Sequence, residues 1–304
     1  MSEKLFPVLG HYPPAVVLEE NESMLDALIA FNIRGVRFGV VVDSSRKLKG
    51  LMSVKRIIKL VSCHGDWKEL CEKNGSIYNT LVSTRVSEVM RRDTPYVVLG
   101  RHDLEKVIEI MARERLGAIP VVLEDKTVVG IITERHIAAI TQVAPMHIAV
   151  HEIMTVNPIT ISYKSTIREA IETMSEKWIR HLPVVDEDGR PVAMVTSRDI
   201  IDYLSHEQTL RALRRGMESE VLDRPVTEIA SHAIVSVPPH EDLNTALRLM
   251  RGRGLSSIIV VDATNRLVGI MTERDVVVKL PRMLGVEAFY DRIRQTIVYA
   301  RPYF

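Results

Sequence analysis

Residues 182–201 read LPVVDEDGRPVAMVTSRDII, and the rest of the chain is interpreted from this stretch. The apolar run at 184–185 is typical of a strand, and the Asp-Gly pair at 188–189 is typical of a hairpin turn. A second apolar run at 192–195 leads into Thr-Ser-Arg-Asp at 196–199, the spacing of a helix N-terminus. The stretch therefore predicts a strand, a turn, a second strand and the start of a helix.

The same arrangement recurs three more times along the chain, which is the signature of internal repeats. The register is shared, because a hydroxyl residue always stands ten positions after the end of the first strand. The strand ends are Asp43, Leu123, Asp186 and Asp262, and the hydroxyl residues are Ser53, Thr133, Thr196 and Thr272. Chance explains this offset poorly, so we expect four repeats.

Each repeat carries an amphipathic segment upstream of its hairpin. In the third repeat the apolar residues Ile167, Ala170, Ile171 and Met174 follow the spacing of one helix face. A further short apolar strand is expected before that helix, at residues 157–161 in the third repeat. The repeating unit is therefore predicted to be strand, helix, strand, strand, helix.

This unit resembles the cystathionine-β-synthase (CBS) domain. The resemblance rests on the Leu-Pro-Val-Val-Asp strand at 182–186, the Gly-Ile-Met-Thr strand end at 269–272, and the Arg-Asp pairs at 198–199 and 274–275. In that family two repeats pack sheet against sheet as a Bateman module with ligand clefts between them. The resemblance implies an α/β (α+β) fold of four β-α-β-β-α repeats in two Bateman modules, similar to the gamma subunit of AMP-activated protein kinase and its archaeal relatives.

We place the domain boundaries from this register. The repeats are expected at 10–62, 86–140, 150–204 and 226–280, followed by a C-terminal docking helix at 281–304. The segment between the first two repeats, around residues 60–85, is either a packed helical connector or an element that docks a partner.

In each repeat the hydroxyl residue lies at the junction between the last strand and the following helix. At two of these junctions a carboxylate follows three residues later: Asp199 after Thr196, and Asp275 after Thr272. One such pair alone indicates a helix capping box. Recurrence at a fixed offset, and resemblance to the nucleotide signature of the CBS family, favour ligand binding. The resemblance implies that the aspartate accepts both ribose hydroxyls and the threonine meets ribose or phosphate. An ionised carboxylate is an acceptor only, and a helix N-terminus attracts phosphate.

Other residues complete the predicted ligand-binding set. Arg180 and His181 resemble the basic pair that contacts phosphate in gamma-type repeats, and Thr160, near Asn157 and Pro158, is expected at the wall of the base pocket. The second junction departs from the pattern, because His136 replaces the aspartate. The first has Lys55 and Arg56 and no carboxylate. The full predicted set is Thr133, His136, Thr160, Arg180, His181, Thr196, Arg198, Asp199, Thr272, Arg274 and Asp275.

Composition limits the possible functions. The chain has 304 residues, 46% hydrophobic and 26% charged, which is typical of a globular protein of two domains. The net charge is +1, so nucleic acid binding is disfavoured. Residues 1–7 show no pattern of a signal peptide, no run is long enough to span a membrane, and Cys63 and Cys71 are expected to stay reduced in the cytoplasm. A metal site at these cysteines and His64 is weakly supported, and we expect none.

The sequence carries no recognisable catalytic motif, so we expect a binding protein and no enzyme. The first hypothesis is a regulatory protein that binds AMP, ADP or ATP, with S-adenosylmethionine as a possible alternative, and passes the change to a protein partner. The second is a non-catalytic scaffold in which the junction motifs are only helix caps. Nucleic acid binding is a third hypothesis, and a homodimer is possible.

Overall fold

The structure is a computed structural model, and it describes residues 9–100 and 104–300, except for the side chains of residue 66 and of residues 296–300. The first seven residues and the last four, on which part of the sequence interpretation rested, lie outside the described residues. Four segments have the same order of strand, helix, strand, strand, helix. Within the described chain, no helix combines the length and the apolar character that a membrane span requires.

The bounds of the elements follow the chain. Repeat 1 contains β1 Val17–Glu19, α1 Met24–Arg34, β2 Phe38–Val42, β3 Leu48–Ser53 and α2 Val54–Val61, and is followed by α3 Lys68–Asn74, α4 Ile77–Ser83 and α5 Val86–Val89. Repeat 2 contains β4 Val97–Val98, α6 Leu104–Glu114, β5 Ala118–Val122, β6 Val128–Thr133 and α7 Glu134–Thr141, and is followed by α8 Val150–Ile153 and β7 Thr155–Val156. Repeat 3 contains β8 Ile161–Ser162, α9 Ile167–Lys177, β9 His181–Val185, β10 Pro191–Thr196 and α10 Ser197–Ser205, and is followed by α11 Glu207–Arg214 and α12 Glu218–Leu222. Repeat 4 contains β11 Ser236–Val237, α13 Leu243–Gly252, β12 Ser257–Val261, β13 Leu267–Thr272 and α14 Glu273–Leu284, and α15 Val286–Ala300 follows.

Each repeat has a small sheet with the same topology. The first strand runs parallel to the second, and the second and third strands form an antiparallel hairpin. In repeat 3, Thr196 pairs with His181 across this hairpin. Repeat 4 has a fourth strand, because β7 pairs antiparallel with β13. The hairpin thus brings the start of its first strand beside the end of its second, where the helix begins.

The strand-end aspartates are turn residues. Asp186 Oδ1 accepts the backbone N–H groups of Asp188 and Arg190 at 3.0 and 2.8 Å, and Gly189 has a φ of 77°. Asp262 and Asp43 accept equivalent backbone bonds, which lower the pKa of each carboxyl. The aspartate of the Leu-Pro-Val-Val-Asp motif therefore shapes the hairpin.

The chain divides into two compact units, and each combines alternate repeats. The 1/3 unit comprises Pro14–Thr94 and Ile159–Ile234, and the 2/4 unit comprises the described parts of Met1–Pro13, Pro95–Pro158 and Val235–Phe304. Within each unit the repeats meet through helices. This contact uses a different face from the sheet-to-sheet pairing of consecutive repeats that the CBS resemblance implies.

Each unit has its own core. In the 1/3 unit, α2 packs on α9 and α1 packs on α10, and Phe31, Leu28 and Leu204 are fully buried. In the 2/4 unit, α14 packs on α6 and α7, and α15 adds the buried side chains Phe289 and Ile293.

The cysteine prediction was wrong for this structure, because Cys63 and Cys71 form a disulfide. Cys63 has a φ of 51° after α2, and α3 follows as a short helix that contains Cys71. This reversal brings the two Cα atoms to 5.7 Å, a separation typical of disulfides.

Candidate functional site

The junction of repeat 3 leaves one carboxylate oxygen available. Asp199 Oδ2 accepts the Thr196 backbone N–H at 2.7 Å and the Thr196 hydroxyl at 2.8 Å, which is a capping box. Among the described residues, none donates a hydrogen bond to Asp199 Oδ1. Burial raises the pKa of this carboxyl, so the protein holds a carboxylate where its ionised form is disfavoured.

Cationic side chains surround the start of β9, the strand that pairs with β10 in repeat 3. His181 is half-buried, and burial lowers its pKa well below 6.5, with further lowering by Arg180, Arg37 and Lys55. Arg180 is buried and lies 5.7 Å from the centre of the Phe38 ring. Arg37 stands in repeat 1 where Arg180 stands in repeat 3. The helix packing of the 1/3 unit therefore collects basic residues from two repeats around His181.

Arg198 has a structural contact that the sequence did not predict. Its guanidinium donates to the carbonyl of Gly35, at the C-terminus of α1, at 2.7 Å. Lys55, the matching residue of repeat 1, donates to the carbonyl of Trp178 at the C-terminus of α9. These two bonds are reciprocal, and each satisfies a carbonyl at a helix end. The contacts of Arg198 are thus with repeat 1.

A cavity of about 230 Å³ lies within the 1/3 unit beside this junction. Polar side chains reach it from both repeats, among them Arg37, Arg198, Asp199 and Asp202, and Phe31 contributes an apolar wall. Asp199 therefore borders a cavity that also has cationic lining residues. Of the residues predicted from the sequence, this cavity brings together Asp199 and Arg198.

The junction of repeat 4 has the same capping box but a different environment. Asp275 Oδ2 accepts the backbone N–H and the hydroxyl of Thr272 at 2.8 and 2.7 Å. Asp275 Oδ1 lies 2.8 Å from the ammonium nitrogen of Lys279, one helical turn further on. Asp275 is buried, and both its oxygens have partners. The sequence interpretation treated Asp199 and Asp275 alike and missed Lys279.

In repeat 2, His136 takes the place of the capping carboxylate. Its Nδ1 accepts the Thr133 backbone N–H at 3.0 Å and lies 3.2 Å from the Thr133 hydroxyl. Burial lowers the pKa of His136 to about 4, so the imidazole is neutral and can accept at Nδ1. Thr133 and His136 thus engage each other as a helix cap.

Two buried glutamates join the junctions of the 2/4 unit. Arg274 donates to Glu134 at 3.0 Å and to the carbonyl of Arg115, and Arg135 donates to Glu273 at 2.9 Å. Glu134 and Glu273 follow the threonine in repeats 2 and 4, where repeats 1 and 3 have Val54 and Ser197. The glutamate after the threonine, present only in repeats 2 and 4, was the feature of the sequence that could have indicated these two ion pairs. Arg274, like Arg198, contacts the other repeat of its unit.

The remaining predicted residues are dispersed. Arg56 donates to the carbonyl of Val89 at 2.6 Å, which accounts for it as a packing residue. Thr160 is exposed and precedes β8 in the 1/3 unit. The predicted strand at 157–161 was wrong: Asn157 has a φ of 46° and its N–H donates to Val268 in the 2/4 unit, while the strand of repeat 3 begins only at Ile161. Asn157 therefore belongs to the 2/4 unit, where it pairs with β13 of repeat 4.

Four hairpin-and-helix repeats with a hydroxyl at each junction define a protein made of CBS repeats. A family model described as "CBS domain" matches residues 86–141, 150–206 and 226–282, and the chain belongs to this family. The model does not match repeat 1, but repeat 1 has the same elements in the same order as the other three.

Relatives of the whole chain are found in archaea. An uncharacterized 33.4 kDa protein in a ribosomal RNA operon of Thermofilum pendens is 36% identical over 300 residues, covering 97% of this chain and 98% of that protein. The crystal structure of MJ1225 from Methanocaldococcus jannaschii superposes with a TM-score of 0.81 at 22% identity, covering 90% of this chain and 98% of that one. An uncharacterized conserved protein from Pyrococcus horikoshii has a TM-score of 0.54 at 20% identity, covering 79% and 89%.

Proposed function

We propose that this protein is a regulatory protein that binds an adenosine nucleotide at the Thr196–Asp199 junction and transmits the change to a protein partner. The observation that carries the proposal is the available Oδ1 of Asp199 at a cavity with basic lining. MJ1225 is described as a proposed homologue of g-AMPK, which agrees with a nucleotide-responsive role.

The carboxylate suits the ribose. A capping role needs only Oδ2, which already serves Thr196, so Oδ1 is free to accept a hydroxyl of a ribose diol. Hydrogen bonds to an ionised acceptor are worth roughly 1.5–3 kcal/mol. Because burial raises the pKa of Asp199, the carboxylate costs stability in the unliganded protein. A residue retained at such a cost is better explained by a ligand than by a cap alone.

The basic residues suit phosphate. Burial is the main cause of the lowered pKa of His181, and the positive charges of Arg180, Arg37 and Lys55 lower it further, so an anion near these side chains would be stabilised. The same positive charges disfavour S-adenosylmethionine, because its sulfonium group is a cation. Among the ligands that the sequence allowed, AMP, ADP and ATP therefore fit this cluster better.

Isothermal titration with AMP, ADP, ATP and S-adenosylmethionine tests the proposal. We expect at least one adenosine nucleotide to bind the wild-type protein, and Asp199→Asn to weaken that binding by roughly tenfold or more. Asp188→Asn is the matched control, because Asp188 lies in the exposed hairpin turn of the same repeat. Equal binding by Asp199→Asn would contradict the site.

A scaffold is the second candidate, and a specific observation supports it. The hydroxyls of Thr196 and Thr272 and the carboxylates of Asp199 and Asp275 all take part in capping boxes. If no adenosine ligand binds, this interpretation is preferred. Sedimentation analysis of the protein, alone and with candidate partners, would then be the informative measurement.

A further inference from the structure

Lys279 lies in the repeat 4 junction with its ammonium group fully engaged. Its Nζ is 2.8 Å from Asp275 Oδ1, 2.8 Å from the carbonyl of Ile153, 2.9 Å from that of Met154 and 3.1 Å from the Thr155 hydroxyl. An ammonium has three N–H donors, and here four acceptors surround it. The group is therefore held in a fixed position by α8, β7 and α14.

In repeat 4 the Lys279 contact occupies Asp275 Oδ1, which corresponds to the available Oδ1 of Asp199 in repeat 3. Asp275 Oδ2 is taken by Thr272, and Oδ1 is taken by Lys279, with the Thr155 hydroxyl at 3.5 Å. The Asp275 side chain is 8% exposed. A ribose hydroxyl could reach Oδ1 only by displacing a charge-assisted bond and stranding a cation among carbonyls.

No other repeat carries a cation at this position. The residues that correspond to Lys279 are Leu60, Ile140 and Tyr203. Tyr203, in repeat 3, donates its hydroxyl to the carbonyl of Val221 at 2.8 Å. Its hydroxyl is thus committed to a group other than Asp199. At the position four residues after the aspartate, the two junctions therefore differ by a cation, which contacts the aspartate Oδ1 in repeat 4.

We propose that Lys279 is a specificity-determining residue that closes the repeat 4 junction to nucleotide, so that the chain takes nucleotide at Asp199 and not at Asp275. This inference rests on the proposed function of the Thr196–Asp199 junction. It makes a directional claim: removing the ammonium, without altering any residue that contacts ligand, adds a site.

Titration with whichever of AMP, ADP and ATP binds the wild-type protein most tightly tests the inference through stoichiometry. We expect the wild-type protein to bind one molecule per chain, Asp275→Ala to leave this unchanged, and Asp199→Ala to abolish it. Lys279→Met keeps the aliphatic stem and removes the charge, and should bind two. In the Asp199→Ala background, Lys279→Met should restore one site, and adding Asp275→Ala should remove it again.

Controls separate the possible results. Lys279→Gln removes the charge but keeps a donor for the carbonyls, and thermal melting of both variants shows whether they are folded. Lys164→Met is the matched control, because Lys164 makes an exposed ion pair with Glu187. It should not change the stoichiometry.

Three results would overturn the inference. The wild-type protein could bind two molecules with one lost in Asp275→Ala, or both folded Lys279 variants could still bind one, or Lys279→Met could lose a site, which would make Lys279 a ligand contact. If none of AMP, ADP and ATP binds the wild-type protein, the proposed function fails and this inference with it. That result is distinct from the other three, in which the wild-type protein binds.

Discussion

Arg274 donates a hydrogen bond at 3.0 Å to Glu134, whose side chain is 0% exposed, and so joins repeat 4 to repeat 2 by an ion pair with a buried carboxylate. Removing the arginine takes a charge-assisted hydrogen bond away from a buried carboxylate. We expect Arg274→Ala to lower the free energy of unfolding by about 3 kcal/mol, measured by urea denaturation.

The exposed pair of Arg113 with Glu109 provides the comparison, because both side chains are largely in water. Arg113→Ala should change the free energy of unfolding by less than about 1 kcal/mol. Similar losses in the two variants would show that burial of Glu134 does not set the strength of its pair.

Protonation of His136 should destabilise the protein in mild acid. A histidine of the unfolded chain binds a proton near its usual pKa of 6.5, whereas the folded protein accepts it only near 4. The stability that neutral His136 contributes is therefore complete above pH 6.5 and is lost as the pH falls toward 4, by at most about 3 kcal/mol.

His136→Asn isolates this effect, because the amide oxygen can accept from Thr133 and does not titrate. Urea unfolding of both proteins across this pH range should show a stability difference that shifts in favour of the variant as the pH falls. Parallel pH profiles would mean that His136 does not account for the acid sensitivity.

Replacing Asp199 should separate stability from binding. Burial raises its pKa above the unfolded value, so the favourable contribution of the protonated form is lost as the pH rises through the folded pKa. At neutral pH, Asp199→Asn should therefore be at least as stable as the wild-type protein while binding nucleotide more weakly. Asp199→Ala also loses the acceptor for the Thr196 N–H, and should cost about 1 kcal/mol.

Thermal melting and titration of both variants check this expectation. A large loss of stability in Asp199→Asn would indicate that the ionised carboxylate is needed for folding, and would favour the scaffold hypothesis.

Nucleotide binding should be accompanied by proton uptake at His181. Its pKa is depressed in the free protein, and a bound phosphate would raise that pKa by supplying a negative charge. Affinity should therefore increase as the pH falls, by no more than about tenfold per pH unit. Titration in buffers of different ionisation enthalpy measures the protons taken up, and His181→Ala should remove the dependence. Binding without proton uptake would place the phosphate away from His181.

The local features were predictable from the sequence because they depend on neighbours within a few positions. The hairpin at Asp186 and Gly189, and the cap at Thr196 and Asp199, form from backbone and side-chain groups no more than four residues apart. Repetition of these patterns made the CBS resemblance visible, including repeat 1, where the family model has no match. The prediction of a strand at 157–161 was wrong because a short apolar run does not indicate with which sheet each of its residues pairs.

The sequence by itself determined four repeats, their element order and the hydroxyl-carboxylate spacing at two junctions. Only the tertiary structure decided which repeats share a core, that Arg198 reaches Gly35, and that Lys279, one helical turn after Asp275, also meets backbone carbonyls over 100 residues away in the chain. The physical reason is that a capping box is closed by local geometry, whereas the availability of a carboxylate depends on every side chain that packing brings to it.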